Sequence, residues 1–305
     1  MKKVLLTFCG TLDFKYSYTT IGDIMAVYNV ALKLLEFRVA FDIAFHGHLL
    51  DLNNLRVDIR QINPDNYSDL LYVCGPVSHT AKKLSEFFLK QRRVAIGVSA
   101  ASIIPTDIFH KVYLRDSEKE VNFDLALADI GFPHIKVDPR QRQPGLSLCI
   151  VGSQGEYGLD NGASLFGKQL TELLSSLRQK NKIFVQTLYN PNSPNPLSAE
   201  IEIQCSRLLL TNRMHGALLA IYHRLPVLVF DQIRYGAKVT RMMNKINWPV
   251  FNFYEFDNEK FNNNFELCKL DWSSDWMEDS RSRMIEESRL ALDNAIDVFL
   301  ANTSF

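Results

Sequence analysis

The chain has 305 residues, too many for one small core and suited to two domains of about 150 residues each. Hydrophobic residues at 47% and charged residues at 22% are ordinary for a soluble globular chain. Lys+Arg and Asp+Glu are both 34, and a zero balance argues against nucleic acid as the main partner, because that affinity comes largely from neutralising phosphates.

The opening residues MKKVLLTFCGTLDF place two lysines before an apolar run, but Val4–Cys9 is only a strand's length and no A-x-A-like cleavage site follows. They are read as the first buried strand. In the first half, strands are expected at Lys3–Phe8, Val39–Phe45, Asp69–Val73, Val94–Gly97 and Lys111–Leu114. Helices are expected at Asp23–Glu36, Thr80–Lys90 and Glu118–Ile130. In the first of these, Ile24, Val27, Ala31, Leu34 and Leu35 recur near the 3.6 period.

The segment Val137–Ser147, rich in proline and charge, reads as a linker and sets a domain boundary at 140/141. Beyond it come strand Leu146–Val151, helix Ala163–Arg178 and strand Lys182–Thr187. Tyr189–Ser198 holds three prolines and three asparagines in ten residues and is expected to be irregular. Strand Arg207–Leu210, helix Met214–His223, strand Val227–Phe230 and a long amphipathic tail helix from Trp276 to Leu300 complete the second domain. The alternation predicts an α/β protein with two Rossmann-like domains, residues 1–140 and 141–305, whose parallel sheets face a cleft.

Cys9, Cys74, Cys149, Cys205 and Cys268 are dispersed, odd in number and without C-x-x-C spacing, which indicates a reducing compartment and no disulfide frame. No uncharged segment approaches the ~18 apolar residues of a membrane span. A cytoplasmic setting is expected, the inner face of the membrane included.

The chemistry concentrates in TNRMHGALLAIYHRLPVLVFD, Thr211–Asp231. Arg213 and His215 fall where a strand's carboxyl end meets a helix's amino end, a place that already favours an anion. Arginine adds a forked donor for phosphate or carboxylate, and histidine a group that titrates near neutral pH. Asn212 lies in the same turn, and Gly216 permits close approach of a ligand or of the neighbouring strand. The alternative is an arginine that caps a turn and a histidine bonded to a buried carbonyl. After Asp231, a helical continuation would place Arg234, Lys238 and Arg241 on one face. In the first half, Arg115 and Asp116 end a strand ahead of a capping-box pattern from Ser117 to Glu120. Gly22 and Asp23 open the first helix, with Asp23 a candidate N-cap. Cys74–His79, which includes Gly75, forms a strand-end loop of small residues. His46 and His48 lack a matched set of further ligands, so no metal is expected.

These residues resemble the core motif of the polysaccharide pyruvyl transferase family: Arg-x-His at a helix start, an apolar helix, a proline-led strand and a lysine soon after. The Ile21-Gly22-Asp23 stretch, the Arg115-Asp116-Ser117 stretch and Val137-Asp138-Pro139 also fall in the family's order. Thr20 stands where the family often has asparagine, and Cys74-Gly75-Pro76-Val77-Ser78 where it has a glycine-rich loop. The resemblance implies a GT-B-like architecture and transfer of the pyruvyl group of phosphoenolpyruvate to a sugar of a cell-surface glycan precursor, free or lipid-linked, with a cyclic ketal and phosphate as products. It implies His215 and Arg213 as catalytic residues, with Arg115, Lys238, Asn212, Gly216, Gly22, Asp23 and Gly75 binding substrate. It implies no cofactor beyond phosphoenolpyruvate as donor. The rivals are a GT-B-like glycosyltransferase using a nucleotide sugar, with Arg213 and Lys238 on a diphosphate, and a catalytically silent glycan-binding relative.

Overall fold

The computed structural model describes residues 2–8, 11, 20–45, 50–77, 79–101, 105–117, 122–152, 154–165, 167–168, 170–171, 181–184, 198–252, 254 and 274–301. They form two compact units: one drawn from residues up to Pro133 and from Glu286 onward, the other from His134 to Ile285.

The first unit is built on six strands: β1 (Lys3–Phe8), β2 (Phe41–Ala44), β3 (Arg56–Val57), β4 (Tyr67–Val73), β5 (Arg92–Val98) and β6 (Lys111–Leu114). Their order is β3-β2-β1-β4-β5-β6, and every pairing is parallel. Leu5 lies opposite Leu70, and Leu71 opposite Val94. β1 and β5 are each buried over five consecutive residues, as expected of parallel strands covered on both faces. Helix α1 (Ile21–Glu36) is buried without a break from Ile21 to Ala31 because its apolar residues surround it rather than forming a stripe. Only the last turn emerges, with Leu35 46% exposed although it fits the apolar period. Helix α2 (His79–Phe87) follows β4.

The second unit carries β7 (Gln143–Cys149), β8 (Asn181–Phe184), β9 (Ser206–Thr211), β10 (Val227–Asp231) and β11 (Val250–Asn252). Their order is β11-β10-β9-β7-β8, again wholly parallel. Its helices are α3 (Ser198–Gln204), α4 (Met214–Tyr222), α5 (Lys238–Lys245) and the first part of α6 (Asp275–Ala301). Leu146, Leu148, Leu208, Leu210, Leu228, Phe230 and Phe251 form one continuous core across the sheet.

Both strand orders reverse once. The first sheet grows outward from β1 and then turns back at β4. The second runs from β7 to β8 and then returns to β9 on the other side. Open parallel sheets bind ligands beyond the carboxyl ends of the strands that flank such a reversal.

Four expectations are corrected. Residues 122–130 contain no α-helix but a single 3₁₀ turn at Leu125–Leu127. Asp124 caps that turn and pairs with Arg115, while Asn29 of α1 donates its side-chain amide to the Leu125 and Ala126 carbonyls at 2.8 and 2.9 Å, which takes these carbonyls out of an α-helical ladder. The units divide at Pro133/His134 rather than 140/141. The reason is that His134 bonds Glu200 and the Ile135 carbonyl accepts from Gln204, both on α3. The tail helix does not belong wholly to the second domain. Within the first unit, Lys33 pairs with Asp293 at 2.8 Å, Arg289 donates to the Ala128 carbonyl, and the Arg92 guanidinium donates to the Phe299 carbonyl. Finally, helix α5 begins only at Lys238, after a turn in which Gly236 has φ +74°, so Arg234 shares no helix face with Lys238 and Arg241. Of the irregular proline-rich segment, residues 189–197 lie outside the described residues, and Ser198 already begins α3. No helix among the described residues is long and apolar enough to cross a membrane.

Candidate functional site

At the reversal of the second sheet the carboxyl ends of β7 and β9 stand side by side, with Cys149 opposite Thr211. The Thr211 hydroxyl donates to the Cys149 carbonyl at 2.6 Å and accepts from the Arg213 amide at 3.0 Å, which turns the chain sharply into α4. Arg213 is thus the N-cap residue of α4, with extended backbone and no capping hydrogen bond from its side chain. His215 lies in the first turn, 7% exposed. The helix is buried from Met214 to Ile221 and largely apolar, and its positive end meets this rim.

Gly216 is fixed by packing between protein groups. A Cβ built there would lie 2.7 Å from the Thr211 hydroxyl oxygen and 3.3 Å from the Cys149 sulfur. The missing side chain lets α4 close on the strand ends. Asn212, also expected to bind substrate, is 1% exposed and serves as a clip. Its side chain accepts from the Val151 amide at 2.7 Å and donates to the Val151 carbonyl at 2.9 Å and to Gln232 at 2.6 Å. Gln232 in turn donates to the Gly152 carbonyl and to Asn161. The loops that follow β7, β9 and β10 are therefore one hydrogen-bonded assembly.

Lys238 reaches the same carboxyl rim from the end of β10. The buried Asp231 carboxylate organises that connection: it accepts from the amides of Ile233, Ala237 and Thr240 and from the Thr240 hydroxyl, and so sets the start of α5 at Lys238. The Lys238 ammonium lies 3.4 Å from Glu156 and 5.8 Å from the centre of the Tyr157 ring. Neither Asp231 as organiser nor Glu156 as partner was singled out in the sequence. Three amides converging on Asp231 carry no spacing signal, whereas the Asp-to-Lys interval itself was visible.

The first unit gathers its expected residues at its own reversal. Thr20, not Asp23, is the N-cap of α1. Asp23 is the third helical residue and completes a capping box by accepting from the Thr20 amide and hydroxyl. Gly22 is buried in the first turn. Cys74 and Gly75 follow β4 with φ of 54° and 72°, and the Cys74 thiol donates to the Asp23 carbonyl. Arg115, expected as an anion receptor, is 4% exposed. It donates to Asp124 at 3.0 Å and to Ser99 at 2.9 Å. Burial works against its charge, yet Asp124, Asp116 and Asp23 outweigh it and hold its pKa above the ordinary value. Arg115 is a buried ion-pair member whose charge is already matched. Glu120, His46 and His48 lie outside the described residues.

Away from both rims, the second unit assembles a histidine–glutamate–histidine cluster that the sequence did not reveal. Glu200 of α3 is fully buried, with His134 Nδ1 at 2.5 Å and His223 Nε2 at 2.7 Å from its Oε1. Burial pushes the Glu200 carboxyl up, but the bonds from His134 and His223 prevail and hold it below the usual range. Burial also holds the His223 pKa down against the pull of Glu200.

No family model matches the chain, and no curated protein matches it. Solved structures do. A complex of MnaA from S. aureus with UDP aligns over 99% of this chain and 98% of its own, at 10% identity and TM-score 0.54. The spinosyn rhamnosyltransferase SpnG with spinosyn aglycone aligns over 99% and 100%, at 12% identity and TM-score 0.52. The UDP-GlcNAc 2-epimerase of Methanocaldococcus jannaschii with UDP-GlcNAc and UDP aligns over 99% and 100%, at 10% identity and TM-score 0.50. These likenesses define the class of fold. The chain is an α/β protein of the GT-B type, with two Rossmann-like parallel-sheet units.

Proposed function

We propose that the chain is a sugar-modifying enzyme that transfers the pyruvyl group of phosphoenolpyruvate to two hydroxyls of a saccharide in a cell-surface glycan precursor. The observation that carries this reading is the joint placement of Arg213 and His215 at the start of α4, on the carboxyl rim where the second sheet reverses. Lys238 joins them from the next strand end. The helix terminus and two cations suit a donor with phosphate and carboxylate groups.

In the reaction the enol carbon gains a proton, two sugar oxygens bond to the neighbouring carbon, and that carbon releases phosphate. Of the two hydroxyl protons, one balances the proton gained by the enol carbon and the other leaves with phosphate. His215 is the acid–base group, and Arg213 and Lys238 stabilise the departing phosphate. Arg115 has no part in this step, because its charge is taken up within the first unit. On this reading the protein works in the cytoplasm, at the inner membrane face where the acceptor is lipid-linked.

A second reading draws on the relatives whose structures hold UDP: a nucleotide sugar as donor, with Arg213 and Lys238 on its diphosphate. Thermal unfolding separates the two, since a ligand that binds only the folded state raises the melting point. The panel is phosphoenolpyruvate, phosphate, UDP, GDP and CMP, each with wild type and Arg213→Ala. Pyruvyl transfer requires a shift with phosphoenolpyruvate that vanishes in the variant. A shift with a nucleotide alone would replace the first reading by the second, and no shift with any of them would leave a silent glycan binder.

A further inference from the structure

We propose that His134, Glu200 and His223 bind a zinc ion that staples the start of the second unit to the C-terminal end of α4. Three elements converge here. His134 is the first residue of the unit, Glu200 lies in the first turn of α3, and His223 is the C-cap residue of α4. Their candidate ligand atoms all lie within 4.8 Å of one another.

The pattern of hydrogen bonding points to an ion. Both imidazoles approach the same carboxylate oxygen, Oε1, while Glu200 Oε2 is buried and has no hydrogen-bond partner among the described residues. A fully buried carboxylate with one oxygen unanswered is costly, and buried polar atoms are nearly always satisfied. A cation placed between the two ring nitrogens and the carboxylate engages both oxygens at once.

Two imidazoles and a carboxylate form a borderline donor set that suits zinc, at roughly 2.0–2.2 Å from each ligand atom. Opening the present contacts to that geometry requires movements on the order of 0.5–1 Å, which side-chain torsions supply. A bidentate Glu200 brings the donor atoms to four without another residue, which fits rings only 10% exposed. The ion's role is structural. Arg213 and His215 sit at the opposite end of α4, about 13 Å away along its nine residues.

The test uses the full-length chain treated with a chelator, then dialysed against zinc chloride and analysed for bound metal. One equivalent of zinc per chain is expected, together with a higher melting point that the chelator reverses. Glu200→Gln and His223→Asn are each expected to lose the bound zinc while keeping wild-type circular dichroism. Should either variant fail to fold, cobalt(II) added to the wild type decides, because a four-coordinate site of nitrogen and oxygen ligands gives visible absorption bands. Absence of those bands, failure of the wild type to take up zinc, or full uptake by both folded variants would each overturn the proposal. None of these readouts depends on the donor substrate.

Discussion

Asp231 and Thr240 are joined twice: one carboxylate oxygen accepts the Thr240 amide at 3.0 Å and the Thr240 hydroxyl at 2.8 Å. With the Ala237 amide at 2.7 Å on the same oxygen, this carboxylate is the peg around which the connection to α5 folds. Asp231→Ala leaves buried amides without an acceptor. A loss of about 2–4 kcal/mol in urea unfolding is expected, with Asp231→Asn intermediate. An unchanged midpoint in Asp231→Ala would show that the loop is held by other means.

The fit of Gly216 against Thr211 makes a second prediction. Gly216→Ala should destabilise by about 1–3 kcal/mol, since its methyl group meets a hydroxyl already bonded to Cys149 and Arg213. Thr211→Ala in the same chain relieves the clash. The double variant is therefore expected to be more stable than the sum of the two single losses, by a coupling of about 0.5–2 kcal/mol in a double-mutant cycle.

His215→Ala should lower turnover by roughly 10²–10⁴-fold with phosphoenolpyruvate as donor, while the ligand-induced thermal shift is largely kept. Arg213→Ala should do the reverse first, weakening the shift. Full turnover in His215→Ala would remove the histidine from the proton transfers.

Alkaline pH offers a test on Tyr67, whose hydroxyl donates to Asp42 at 2.8 Å. Burial first, and then Asp42, push its pKa well above the ordinary tyrosine value. Above pH of about 10 the unfolded chain ionises this group and the folded chain does not, so stability is present below that pH and falls as pH rises. Tyr67→Phe should flatten the decline of the melting point between roughly pH 9.5 and 11. An identical slope in the variant would assign the loss to other groups.

Arg38 follows α1 with φ of 56°, and the Val39 amide closes the helix by donating to the Leu34 carbonyl at 2.9 Å. A side chain in the left-handed region costs about 1–2 kcal/mol, part of which glycine recovers. Arg38→Gly should raise stability by a few tenths to about 1 kcal/mol, measured as the midpoint in urea.

Buried parallel strands were the most legible part of the sequence. Lys3–Phe8 has the predicted limits, and β9 and β10 extend the expected runs by a residue or two; the half-exposed edge strand Lys111–Leu114 also has its predicted limits. Their apolar runs are bounded by polar turns, and nothing competes with that signal. The failures have local causes. Ser198–Gln204, SAEIEIQ, alternates like a strand over its second half and is only two turns long, so α3 left no helical period to read. The helix expected over Glu118–Ile130 gives way, at residues 122–130, to the turn that Asp124 caps, and its pairing with Arg115 is a tertiary contact that leaves no local pattern. At the site, Arg213 and His215 could be placed because strand end and helix start are both local signals. Glu200 could not be joined to His134 and His223, because separations of 66 and 23 residues leave no spacing pattern.

The Asn212–Gln232 clip has a consequence for altering this protein. Because Asn212, Gln232, Asn161 and the backbone at Val151 and Gly152 share their hydrogen bonds, no one of the three loops around Arg213 is an independent module. Grafting a single loop from another GT-B scaffold would strand donors and acceptors in the two left behind. A redesign of this rim therefore has to exchange all three loops as one cassette, with the amide side chains that knit them together.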